Sequence, residues 1–190
     1  MFKRMLVFMV TLALIGICVP AGSAELEGVS FPDTKVVAEK TLTLNGTALR
    51  KAMVFIKVFV AGFYLEKPTH DAKEAIESEQ VKHFYVHYLT SKATAKKIQE
   101  GFIEGMTETN PPDLVAAHMT EIRLYASWLD LDMQPGFYSE SVYVPGKGLT
   151  LSLNGTEKGT INNLEFARMY YRYYLGDKAD KKISNGFLGL

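Results

Sequence analysis

Residues 47–66 read TALRKAMVFIKVFVAGFYLE, an apolar stretch entered through Arg50, interrupted by Lys57 and closed by Gly62, Phe63 and Tyr64. A lysine in the middle argues against a membrane crossing, and the alternation settles the backbone. Met53, Phe55, Lys57, Phe59, Ala61 and Phe63 fall on one side of an extended chain, and Val54, Ile56, Val58, Val60, Gly62 and Tyr64 on the other. Both sides are largely apolar and the residues are β-branched or aromatic, so residues 53–64 are read as a strand covered on both faces.

Reading outward, residues 35–44 (KVVAEKTLTL) form a further strand, and Asn45-Gly46 is read as the turn of a hairpin. Pro68 stops the central strand, residues 71–79 form a short polar helix, and residues 81–89 (VKHFYVHYL) return to a strand. Ser91 is expected to cap a helix over 92–108, with Ala95, Ile98, Phe102 and Met106 at helical spacing. Pro111-Pro112-Asp113 opens another helix running to Trp128. Residues 137–144, 149–153 and 156–161 alternate around the turns PGKG and Asn154-Gly155, giving two consecutive hairpins. An aromatic helix over 163–175 is broken by Gly176-Asp177, and a short helix over 178–189 follows. The class is α+β: an antiparallel sheet with helices mainly on one face, in a single domain.

At the N-terminus, Lys3 and Arg4 precede an apolar run over 5–19, then Pro20 and the small residues Ala21, Gly22, Ser23 and Ala24. This is the layout of a secretory signal peptide, residues 1–24, cleaved after Ala24, and it predicts a periplasmic or secreted domain over 25–190. Ile17 before Cys18 disfavours a lipid anchor, and the run is shorter than the ~20 residues of a retained span. Removal takes two of the 21 basic residues and none of the 21 acidic ones, which leaves a net charge of −2. That balance argues against a nucleic-acid partner or a polybasic membrane binder. The one cysteine leaves with the signal, so the domain stands on its hydrophobic core without a disulfide.

Several chemistries fail on spacing. His83 and His87 would lie ~13 Å apart along a strand, too far for one metal, although either could supply a single heme ligand. Glu100, Glu104 and Glu108 recur every four residues, the pattern of a solvated helix face. PGKG lacks the rest of a phosphate loop, Asp130 and Asp132 lack the rest of a calcium loop, and no serine sits in a nucleophile elbow. Met169, Tyr170, Tyr171, Tyr173 and Tyr174 are read as helix packing with hydroxyls reaching water, with a cofactor wall as the alternative.

In order along the chain, LNGTALRKAMVFIKVFVAGFYLE, FYVHYLTSKATAKKIQEGF, VYVPGKGLTLSLNGTEKGTI and EFARMYYRYYLGDKADKKISNGFLG resemble the chalcone isomerase superfamily, closest to its bacterial exported chalcone-isomerase-like members. The resemblance implies an open-faced β-sandwich, an antiparallel sheet with a layer of helices on one face and a ligand cleft between. In the enzymes an arginine holds the substrate phenolate, a threonine and a tyrosine organise a water, and an asparagine positions the substrate. Carried over, Arg50 matches the arginine, whereas Phe59 stands at the threonine, Thr94 at the tyrosine and Gly101 at the asparagine.

Arg50 alone would bind an anion through its planar fork. The resemblance therefore implies a non-catalytic protein holding a small hydrophobic or amphipathic anion, a fatty acid or heme, with no cofactor required. The expected binding residues are Arg50, Phe59, Phe63, Tyr64, Thr94 and Phe102, with His83 or His87 as heme ligand. The alternatives are an isomerase or lyase acting on an enone, with Thr94 or Tyr64 supplying a hydroxyl, and a partner-binding structural module.

Overall fold

The structure, a computed structural model, describes residues 22–52 and 55–190. The expected signal peptide lies outside the described residues except for its last three. Of these, Ser23 and Ala24 pair with Pro32 and Phe31 in a two-stranded ribbon, β1 (Ser23–Leu26) and β2 (Val29–Pro32). No helix among the described residues is long and apolar enough to cross a membrane.

Seven strands follow as a meander in which each pairs antiparallel with the next: β3 (Thr34–Val37), β4 (Lys40–Ala52), β5 (Ile56–Leu65), β6 (Lys82–Tyr88), β7 (Tyr138–Val144), β8 (Gly148–Leu153) and β9 (Thr156–Ile161). The sheet curls into a half-barrel with the helices on one side. The short α1 (Ala72–Glu77) joins β5 to β6. Between β6 and β7 run α2 (Ala95–Thr109), α3 (Pro112–Ala117) and α4 (Met119–Ser127), and α5 (Leu164–Leu175) and α6 (Lys181–Leu188) close the chain.

The central strand is covered on both faces, as its alternation predicts. Ala61, Phe63 and Leu65 pack under the helices, while Val60, Gly62 and Tyr64 face the other way. There the ribbon covers them: Phe31 is fully buried in the space left by Gly62, with its ring edge-on to Tyr85 at 6.2 Å. The described part of the strand begins at Ile56, which pairs with Ala52 of β4, and Phe55 just before it is 88% exposed; the expected strand positions 53 and 54 lie outside the described residues.

Asn45-Gly46 is not a turn. The hairpin between β3 and β4 closes at Ala38 and Glu39, whose φ angles of 49° and 63° match the primed geometry of two-residue hairpins. β4 runs on through Asn45-Gly46 with a bulge. The Asn45 amide donates to the carbonyls of Thr69 (3.0 Å) and Phe187 (2.8 Å), and a Cβ on Gly46 would come within 2.1 Å of the Gly186 carbonyl oxygen. The bulge thus seats α6 against β4.

Two helix boundaries also differ from expectation. α2 starts at Ala95, capped by Thr94 rather than Ser91, and the expected helix over 112–128 breaks at His118.

Candidate functional site

The helix-facing side of the sheet is packed unevenly. At one end Phe63 stacks on Phe84 with ring centroids 4.3 Å apart, and Tyr171 and Phe187 press onto the pair, so that end is filled. At the other end the inward positions are small: Val86 on β6, Ser139 and Ser141 on β7, Ala93 before α2 and Gly101 within it. The missing side-chain volume leaves a cavity of about 640 Å³ between sheet and helices.

Three cations, Arg50 at the end of β4, Lys92 and Lys97, line the cavity, and none of its described lining residues is acidic. Its walls include Phe59, Ile98, Phe102, Leu129 and Tyr173, with Phe59 edge-on to Tyr88 at 6.1 Å. On the inner side Ser141 Oγ lies 2.7 Å from the Tyr125 hydroxyl and accepts from the Tyr170 hydroxyl at 2.8 Å.

Arg50 is 46% exposed, and its Nη1 lies 3.3 Å from Asp180 Oδ2. A pair that exposed is held by at most about 1 kcal/mol and yields readily to a better-placed anion. Burial pushes the phenols of Tyr88, Tyr125, Tyr170, Tyr173 and Tyr174 above the usual tyrosine range, and the nearby Arg50 guanidinium opposes this only at Tyr173. These hydroxyls stay protonated at neutral pH. Among the described lining residues there is no carboxylate or imidazole to accept a proton.

Of the expected binding residues, the fold brings Arg50, Phe59 and Phe102 together on the cavity. The other three lie elsewhere. Phe63 belongs to the filled end. Tyr64 points to the opposite face of the sheet, where its buried hydroxyl has no hydrogen-bond partner among the described residues. The Thr94 hydroxyl is turned to its own helix, accepting from the Lys97 amide at 3.4 Å.

His83 and His87 alternate with the inward Phe84, Val86 and Tyr88 and so sit on the face away from the cavity. His83 is buried there against Tyr64, with Nε2 3.2 Å from Glu140 Oε1; burial lowers its pKa, and its approach lowers that of Glu140. No cluster of His, Cys, Asp or Glu suited to a metal occurs among the described residues.

Sequence reasoning missed Lys92, Lys97, the two serines and the tyrosine hydroxyls. The tyrosines of α5 turn their hydroxyls inward rather than to water: Tyr170 and Tyr171 are buried, and Tyr173 and Tyr174 line the cavity. The serines carried a signal, since in FYSESVYV they alternate in step with Phe137 and Tyr143.

A curled antiparallel sheet with helices on one side, enclosing an apolar cavity with basic residues in its lining, defines a cup able to hold a small amphipathic molecule. The chain belongs to the chalcone isomerase-like family, whose model matches residues 23–189. No curated protein matches it. Among solved structures it is similar to a fatty-acid binding protein of Arabidopsis thaliana, with a TM-score of 0.71 and 16% sequence identity over 88% of this chain and 96% of that one. At that identity the likeness establishes the fold.

Proposed function

We propose that the protein is a non-catalytic binder of a fatty-acid-like anion, exported to the periplasm or secreted, with Arg50 as head-group anchor and Lys92 and Lys97 as flanking charges. The observation that carries this reading is the distribution of charge in the cavity: among its described lining residues there are three cations and no acid, and the rest are mainly apolar. Such a lining pairs with a carboxylate and buries its chain. The fold shared with a plant fatty-acid binding protein supports the same class of ligand. Fatty acid is favoured over heme because His83 and His87 face away from the cavity.

The test is titration of ligand-stripped protein with hexadecanoate, alongside mass spectrometry of what co-purifies. Arg50→Ala is expected to weaken binding about tenfold, the lower end for losing a charge-assisted hydrogen bond, since Arg50 is half exposed. Unchanged affinity in that variant, or no binding by either protein, would overturn the proposal.

A further inference from the structure

The lining of the cavity is not uniformly apolar. On β7 the inward residues Ser139 and Ser141 stand between Val86 and Phe84 on one side and Leu153 and Leu151 on the other. An otherwise apolar band of sheet is broken only by two serines. Ser141 then gathers two buried tyrosine hydroxyls, Tyr125 and Tyr170, from different helices. Three hydroxyls carry three protons and six lone pairs, and because the Tyr125 and Tyr170 hydroxyls also meet each other, all three protons can be engaged within the cluster. Acceptor capacity is left beside the cavity. A bare alkyl terminus placed there would strip water from these groups and return no hydrogen bond.

This hydroxyl cluster lies well away from the anchor. Register carries Arg50 through Phe59 to Tyr88, while Ser141 faces Phe84. The separation is three strand spacings across the sheet, roughly 14 Å, and four residues along it, roughly 13 Å before curling. One long molecule can therefore engage both ends.

Building on the anion-binding reading, we infer that the ligand is a long-chain acid carrying a second polar group, a hydroxyl, at the end remote from its carboxylate. The serine–tyrosine cluster recognises that terminus, and Ser141 is its specificity-determining residue. A site built to hydrogen-bond a ligand hydroxyl discriminates against the analogue that lacks it.

The test compares hexadecanoate with ω-hydroxyhexadecanoate on the ligand-stripped full chain by displacement of a fluorescent probe, with octanoate and ω-hydroxyoctanoate as a pair too short to reach. The long hydroxy acid is expected to bind about tenfold more tightly than the long plain acid, the worth of a hydrogen bond regained in a buried site. The short pair should show no such preference. Ser141→Ala should bring the long-chain ratio to about one, and Tyr170→Phe should reduce it, which keeps the test open if one variant folds poorly. If the wild-type protein binds both long acids equally, the inference is overturned while fatty-acid binding stands. If it binds neither, both fall.

Discussion

Gly101 offers a way to separate folding from binding. It lies in the interior of α2, lines the cavity, and a Cβ built on it meets no atom within 4 Å. Glycine inside a helix costs about 0.8–1.0 kcal/mol relative to alanine, so Gly101→Ala should stabilise the ligand-free protein by nearly that amount. For a domain of this size that is a rise in Tm of about 2–4 °C. Leucine has nearly the helix propensity of alanine, so Gly101→Leu should keep most of the gain while its side chain enters the space a ligand would fill. Thermal unfolding with and without hexadecanoate at about 100 Kd reads both effects, because that concentration stabilises a binder by about 2.7 kcal/mol. The expected result is a higher ligand-free Tm in both variants and loss of most of the ligand-induced increment in Gly101→Leu. A Gly101→Leu protein that gains the full increment would refute the placement of the ligand in this cavity. A loss of ligand-free stability in Gly101→Ala would refute the open space read at this position.

Three further outcomes follow from particular contacts. Asp180→Asn removes the carboxylate paired with Arg50 while keeping a good N-cap for α6, so fatty-acid affinity should rise by up to about fivefold without loss of Tm. Asn110 is buried, donates to the carbonyls of Met106 (3.0 Å) and Met169 (3.2 Å) and accepts from Arg172 Nη1 (3.0 Å); Asn110→Ala should cost about 2 kcal/mol, read as a lower denaturant midpoint at unchanged slope. Lys82 is 1% exposed, donates to the Ile76 carbonyl and lies over the Tyr171 ring, and burial pulls its pKa from 10.5 down to about 8. Between those values the unfolded chain holds the extra proton, so stability should rise with pH from about 8 to about 10.5, by a total of about 3 kcal/mol. Lys82→Met should abolish that rise and be no less stable at pH 7; a rise that persists in the variant belongs to another group.

The same dipeptide shows how far local sequence carries. Asn154-Gly155 reads as a turn and is one, with φ angles of 47° and 78° between two short strands. Asn45-Gly46 reads the same way, yet β4 continues through it with a bulge. What decides between them is a hydrogen bond from Asn45 to Phe187, whose sequence separation of 142 no local window contains. Secondary structure elsewhere was legible because it is written in alternation and caps. The cavity was less so. Arg50 and Phe59 came from the order of segments along the chain and Phe102 from its helical spacing, whereas Tyr64, His83 and His87 lie on the other face of the sheet, because alternation assigns residues to a side without saying which side the helices cover. Ser139 and Ser141 were overlooked for the same reason: inward serines look like outward ones until the neighbouring strands are known.

Which face is which also bears on catalysis. The resemblance sets residue 59 at the threonine of the enzymes, and here Phe59 is packed edge-on against Tyr88 as part of the apolar wall. Restoring a hydroxyl by Phe59→Thr would open a gap against Tyr88 without supplying a proton acceptor. Thr94 is committed to its helix, Gly101 has no side chain, and burial keeps the lining phenols protonated. What the described lining does supply is three cations, Arg50, Lys92 and Lys97, set among apolar and aromatic side chains, the arrangement that favours an anionic ligand with an apolar body.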